Sequence, residues 1–457
     1  MSYRIERDSM GEVKVPASAL YGAQTQRAMD NFGLHQRTLP SAFVHNLALL
    51  KSAAARANTE SGVLPAAVAA AIEAAAARVA AGEFDHQFPI SLFQTGSGTS
   101  TNMNVNEVLA RLASDASGES VHPNDHVNCS QSSNDMIPSC ILLSAARDLQ
   151  ENLLPALQAL IVSATLRCEE LSAVTKTGRT HLMDAMPLTF GQEISAWVCQ
   201  LEECQQRFLA LQPRLHQLPV GGSAVGTGVN VPAGFAESLV GQLKQLSGLE
   251  FAVAPNAYAR MAGQDVPLEY SAALRSLAVT LTKINNDLRW MASGPLAGLA
   301  EIELQALQPG SSIMPGKVNP VLPEAVLMVA AEVMGNDSSV ALAAQSGSFQ
   351  LNVMLPLIAD KLATGGESLS WACDATASSI AGFSVNKARV DATLAINPIL
   401  VTALNTTIGY EAAARVAKRS YAEQRPVIDV AVEETGIKRE ELEALLDPYR
   451  LTRGHSG

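Results

Sequence analysis

Gly310-Ser311-Ser312-Ile313-Met314-Pro315-Gly316-Lys317-Val318-Asn319-Pro320 is the stretch on which the reading of this chain turns. It sets two hydroxyls, one cation and one amide among two glycines and two prolines, a mixture no packed core calls for. Glycine frees the backbone and proline fixes it, so these residues read as a loop that bends sharply and holds one shape. Asn319 suits an N-cap and Pro320 a first helical residue, and the apolar run 321–333 that follows reads as a helix stopping at Gly335. Lys317 and Asn319 would then lie at a helix N-terminus, where free N–H groups and the dipole favour an anion. A phosphate-cradling P-loop does not fit, because five residues separate Gly310 from Gly316 and Val318 follows the lysine. A flexible Gly/Ser connector explains the first residues and leaves the rigid, amide-bearing remainder without a use.

Outward from the loop the chain is written mainly in helices. Segments 138–171, 187–211, 267–291, 321–335 and 349–383 carry apolar and alanine positions on a 3.6-residue period, several opening at a proline. Several exceed the usual globular length, and helices of that kind pack side by side into a bundle. Residues 41–81 read as two alanine-rich helices broken at Gly62 and Pro65. The first 40 residues read as irregular with a small hairpin, and the C-terminal part returns to short elements. Trp197 and Leu201, at helical spacing, read as core. The Lys438–Glu443 charges read as a solvated face.

The 457 residues are 47% hydrophobic and 17% charged, with mean hydropathy +0.12. That balance points to a large core and to buried subunit surface, hence a homo-oligomer. Net charge −12 and a pI near 5.2 argue against nucleic acid or an anionic membrane as partner. With no uninterrupted apolar run of membrane length and no secretion-type N-terminus, the expected location is cytoplasmic. The six cysteines are scattered without a Cys-x-x-Cys pair, and His122 and His126 flank a Pro-Asn-Asp turn, so neither disulfide framework nor metal site is expected. No dinucleotide fingerprint occurs, and no cofactor is expected.

Three further polar clusters stand apart from the helices. In 94–107, hydroxyls and amides crowd a glycine turn far beyond what one cap requires; 122–135 repeats that excess. In 177–187, His181 sits among Gly178, Arg179 and Thr180 in what reads as a polar turn between long helices. A lone histidine is more often structural, but four such loops at helix ends could converge on a ligand.

The 310–320 string resembles the signature loop of the fumarase/aspartase superfamily, closely in its class II fumarase form. Segments 94–107, 122–135, 177–193, 221–230, 293–295 and 310–324 resemble that family in the same order, so the resemblance covers nearly the whole chain. It implies a mainly α fold: a small mixed N-terminal domain (1–132), a central long-helix bundle (133–390) that forms a twenty-helix core in a homotetramer, and a small C-terminal domain (391–457). It implies reversible hydration of fumarate to L-malate, as in the tricarboxylic acid cycle, by anti addition and elimination through an aci-carboxylate, with each site built from three chains. Carried over residue by residue, the base is Ser311, its partner His181, and the carboxylate orienting that histidine Glu324. Substrate-binding positions fall on Ser97, Thr99, Ser132, Ser133, Asn134, Thr180, Ser312, Lys317 and Asn319. A secondary anion site falls on His122, Asn124 and Asp125, where Glu119 and Ser120 stand in place of an arginine some members carry. Two other readings are an aspartate ammonia-lyase, which shares the loop and the base, and a non-catalytic helical oligomer that kept the fold. Against the first, Thr95-Gly-Ser-Gly-Thr99 and Ser132-Ser-Asn-Asp135 have the fumarase form, whereas 321–324 fits the aspartase form equally.

Overall fold

The structure, a computed structural model, describes residues 2–34 and 37–453. Its elements in chain order are strands β1 (Tyr3–Asp8) and β2 (Gly11–Pro16), then helices α1 (Ala23–Asn31), α2 (Ser41–Glu60), α3 (Ala66–Ala80), α4 (Thr99–Ser117), α5 (Ser133–Asp148) and α6 (Leu154–Glu170). Strands β3 (Thr175–Thr180) and β4 (Met183–Thr189) come next, followed by α7 (Phe190–Leu215), α8 (Phe235–Ser247), α9 (Ala257–Ala262), α10 (Asp265–Met291), α11 (Val321–Ala344), α12 (Leu355–Gly382) and α13 (Lys387–Ala395). Five short helices close the chain: α14 (Asn405–Ile408), α15 (Tyr410–Glu423), α16 (Val427–Thr435), α17 (Arg439–Leu445) and α18 (Pro448–Leu451). The strands form two-stranded pairs only. The fold is therefore mainly α, built on long helices.

The chain divides into two compact units. One comprises Met1–Pro155, Gln206–Ala278 and Ala330–Ser370; the other comprises Ala156–Gln205, Val279–Val329 and Trp371–Gly457. In the first, Phe43, Val44, Leu47 and Leu50 of α2 are buried, and Phe208 meets Tyr270 edge-on at 6.1 Å. Asp337 of α11 ties to α10 there, accepting from Ser271 at 2.8 Å and Arg275 at 2.6 Å. In the second, Trp197 and Leu201 are fully buried as expected of core, and Asn285 of α10 donates to Thr376 of α12 at 2.9 Å. A separate apolar cluster in this unit gathers Leu400, Leu404, Val416, Val430 and Leu442 from the C-terminal helices.

Several boundaries differ from the sequence reading for local physical reasons. The N-terminal hairpin β1–β2 is present, and α1 adds a helix where none was expected. Helix α5 starts at Ser133, not at Pro138, because Asp135 Oδ1 accepts from Ser132 N and Ser132 Oγ from Asn134 N, a reciprocal cap that sets the start. A π-helical turn, Leu149–Leu153, precedes α6; Pro155 has no N–H to give the preceding turn, and widening that turn accommodates its ring. The proline expected to open the next helix, Pro187, lies in strand β4. Helix α11 runs through Gly335 to Ala344, since Gly335 keeps a helical φ in open space and costs only about 1 kcal/mol there. Residues 347–352 form a tight hairpin with Phe349 at φ 54°, so α12 begins at Leu355. Among the described residues α11 alone is long and apolar enough to cross a membrane, with 33% of the stretch buried; it carries Glu324, Glu332 and Asp337.

Candidate active site

The loop 310–320 closes on itself. Gly310 N donates to Lys317 O at 2.8 Å and Asn319 Nδ2 donates to Gly310 O at 2.7 Å. A Cβ on Gly310 would stand 2.8 Å from Lys317 O, so only glycine permits this closure. Asn319 thus straps the loop and does not cap the helix, which begins at Val321 behind Pro320. Inside the loop Ser311 Oγ accepts from two backbone amides, Ile313 N at 3.2 Å and Met314 N at 3.0 Å. Ser311, Met314 and Lys317 line a cavity of about 390 Å³. Ser312 and Lys317 are exposed, as is Ile313 at 83%.

His181 stands at the tip of the β3–β4 hairpin, which corrects the expected turn between helix ends. His181 and Leu182 form its two-residue turn with φ 57° and 61°, the sign pattern of a type I′ turn. Thr180 precedes them, and all three are exposed. The base of the hairpin is held by buried charge. Lys176 Nζ lies 2.8 Å from Glu193 Oε2 and 2.9 Å from Glu301 Oε2, the second contact off the hydrogen-bond axis. Arg179 Nη1 reaches Glu301 Oε1 at 2.8 Å, and Lys176 and Glu301 are 2% and 1% exposed. Glu324 is in the first turn of α11, half-buried. The side chains of His181, Glu324 and Lys317 make no hydrogen bond or ion pair among the described residues.

In the first unit the hydroxyls are arranged by their neighbours. Ser97 Oγ and Thr99 Oγ1 share a 2.8 Å hydrogen bond at the start of α4. The turn before them passes so close to residue 353 that a Cβ on Gly96 would lie 1.7 Å from Val353 O. At the start of α5, Ser132 Oγ accepts from Asn134 N at 3.2 Å, Ser133 Oγ from Asn102 Nδ2 at 3.1 Å, and Asn134 Nδ2 donates to Ala224 O at 2.8 Å. Asp135, fully buried, joins this turn to the glycine-rich loop 221–230 by accepting also from Ser223 N at 2.9 Å; burial holds its carboxyl above the usual range. Below the turn lies Lys51, also fully buried, its ammonium pKa lowered chiefly by burial. The sequence reading missed Lys51, Asn102, Asn128 and Asp135. The available signal was one charge inside the buried alanine stripe of α2.

His122 caps the π-helical turn Pro123–Val127: its Nδ1 accepts from Asn124 N at 3.3 Å and Asp125 N at 3.1 Å, leaving Nε2 outward. His122 and Asn124 edge a cavity of about 830 Å³ that also meets Arg4, Glu6, Asp8 and Arg111, a lining of both charge signs.

The class to which this helical fold and its strapped loop belong is shown by similarity to known proteins, and it is that of the lyases. The family model for lyases matches residues 11–335 and that for the fumarase C C-terminus residues 400–453. Over 453 residues the chain is 54% identical to the class II fumarate hydratase of Xylella fastidiosa, covering 99% of this chain and 96% of that one. It is 54% identical to fumarate hydratase class II 2 of Pseudomonas aeruginosa, covering 99% of each. The crystal structure of class II fumarase from Schistosoma mansoni superposes with TM-score 0.95 over 100% of both chains at 36% identity. The chain belongs to the lyase family and, within it, to the class II fumarate hydratases.

Proposed function

We propose that this enzyme adds water reversibly across fumarate to give L-malate, by anti addition and elimination. The observation that carries the reading is Ser311 Oγ held by two backbone N–H donors beside Lys317. A serine can act as base at neutral pH only if its alkoxide is stabilised, and preorganised donors with a cation nearby supply that. Ser311 then takes the proton next to a carboxylate, which gathers a second negative charge as an aci-carboxylate. Lys317, Asn319 and the N-terminus of α11 offset it. His181, oriented by Glu324, handles water or the leaving hydroxyl as general acid and base. Ser97, Thr99, Ser132, Ser133, Asn134, Thr180 and Ser312 bind the dicarboxylate.

The site is shared in a cytoplasmic homotetramer. Two observations support this: His181 and Glu324 lack hydrogen-bond and ion-pair partners among the described residues, and the Ser311 loop and α11 leave apolar residues such as Ile313, Met328 (68% exposed) and Leu342 (63%) uncovered. The chain comprises an N-terminal domain (1–132), the bundle (133–390) that supplies the tetramer core, and a C-terminal domain (391–457). A secondary anion site at His122, Asn124 and Asp125 would offer an anion the outward Nε2–H of His122. The test follows fumarate's ultraviolet absorbance with purified protein. L-malate should give fumarate, with kcat/KM for L-aspartate lower by about 10⁴ or more, since a site built for a hydroxyl rejects analogues that leave its groups unpaired. Comparable rates from L-aspartate, or none from L-malate, overturn the proposal.

A further inference from the structure

Lys51 is a buried amine without an ion-pair partner among the described residues. It projects from the middle of α2, fully buried, and its Nζ donates to two amide oxygens, Asn128 Oδ1 at 3.0 Å and Gln131 Oε1 at 2.9 Å. The nearest buried carboxylate, Asp135, has its oxygens turned to Ser132 N and Ser223 N. An unpaired ammonium in a dry interior is costly, and burial draws the Lys51 pKa down to about 7, so a bound carboxylate would be met by a group whose charged form it stabilises.

The lysine's contacts lead to the turn 132–134. Asn128 Oδ1, which Lys51 holds, also accepts from Asn102 Nδ2 at 3.1 Å and Asn106 Nδ2 at 3.0 Å. The same Asn102 Nδ2 reaches Ser133 Oγ at 3.1 Å. Because Ser133 accepts from Asn102, its own proton is left to donate elsewhere. Gln131, the lysine's other partner, is the residue before Ser132, and its side-chain N–H groups hold Val127 O and Cys129 O at 3.0 and 2.9 Å. One buried cation thus orders both amides that shape the turn and sets positive potential behind it.

We infer that Lys51 is a positioning residue for dicarboxylate binding, its charge kept unpaired inside the chain so that it acts on a substrate carboxylate bound at Ser132, Ser133 and Asn134. The inference rests on the function proposed above. It predicts an effect on KM larger than on kcat, because a carboxylate held equally in substrate and transition state affects binding uniformly. The titratable groups acting on Lys51 are Asp135, which favours its charge, and Cys140, whose thiol burial keeps protonated.

The deciding variants are Lys51→Met, which removes the charge at similar length, and Lys51→Arg, which keeps it. In Lys51→Met, KM for L-malate and the succinate inhibition constant should each rise about 10-fold or more with kcat within about threefold of wild type, and Lys51→Arg should recover part of that loss. Lys51→Met with KM within twofold of wild type, or with kcat falling as far as KM rises, overturns the inference, as does Lys51→Arg no better than Lys51→Met. Wild-type protein inactive on L-malate overturns the functional reading and this inference with it, whereas an active wild type with an unaffected variant removes the inference alone.

Discussion

Replacing Glu301 by glutamine tests whether the His181 hairpin is anchored by its buried charges. At the base of β3 two cations, Lys176 and Arg179, meet two carboxylates, Glu193 and Glu301, so the set is neutral as built. Glu301 is 1% exposed and touches both cations, while Glu193 touches only Lys176. Glu301→Gln keeps the shape and leaves two cations against one carboxylate, with Arg179 losing its ion-pair partner among the described residues. Breaking a buried pair from one side costs about 3 to 5 kcal/mol, far above the ~0 to 1 kcal/mol of an exposed pair. Unfolding entropy near 2.1 cal/mol/K per residue makes 1 kcal/mol worth roughly 1 °C in a chain of 457 residues, so Tm should fall by about 3 to 5 °C. Differential scanning fluorimetry at fixed protomer concentration reads this directly. The double variant Lys176→Met/Glu301→Gln restores neutrality and should recover part of the loss, a coupling that independent sites would lack. A Tm within 1 °C of wild type for Glu301→Gln, or a double variant showing the full sum of the single losses, would refute the argument that charge compensation holds the hairpin.

Ser311→Ala should lower kcat roughly 10²- to 10⁴-fold with a much smaller change in KM, and an unchanged kcat in the malate assay removes Ser311 as base. Inactive Ser311→Ala and His181→Asn proteins, unfolded together and reassembled, should regain partial activity if sites draw on several chains; tetramers shown to have mixed yet remaining inactive favour a site within one chain. Asp148 is held near pKa 6 by burial, above its ordinary 3.8, with Oδ2 unpartnered close to Gly366. Its ionisation therefore costs stability that is absent below about pH 4 and fully developed above about pH 6, so Asp148→Asn should raise Tm by about 1 to 3 °C at pH 7.5 and give no gain near pH 4. A Tm difference that does not change between those pH values counts against this account.

The long helices were legible because alanine and leucine stripes at 3.6-residue spacing survive any tertiary context, and the loop 310–320 because glycine and proline mark sharp bends locally. What escaped carried no local signal, or a misleading one. The β3–β4 hairpin turns at His181-Leu182 with no asparagine or glycine to announce positive φ, so its residues read as a connection between helices. Asn319 has the composition of a cap, but its side chain is turned to the loop, where Nδ2 donates to Gly310 O. Gly335 looks like a stop in sequence, yet the surface of α11 around it is open and the helix passes through. Lys51 looked like one polar position on an alanine-rich helix; only the approach of Asn128 and Gln131, some eighty residues on, shows that it points inward.

Each hydroxyl of the candidate site is oriented by what donates to it. A serine oxygen has two lone pairs and one proton. In the turn 132–134, Ser132 Oγ accepts from backbone N–H groups at the start of α5 and Ser133 Oγ from Asn102 Nδ2, which orients each oxygen and leaves its proton for an acceptor such as a carboxylate. Ser97 and Thr99 bond one another, so the pair gives one proton internally and retains one to donate. Ser311 Oγ accepts from two backbone N–H groups of its own loop and shares a cavity wall with Lys317. Those donors solvate the oxygen once its proton has left, and they need no reorganisation at that moment. The amides can converge only because the loop is closed by Gly310 and strapped by Asn319. The loop's glycines and prolines therefore hold the backbone shape on which the proposed role of Ser311 as base depends.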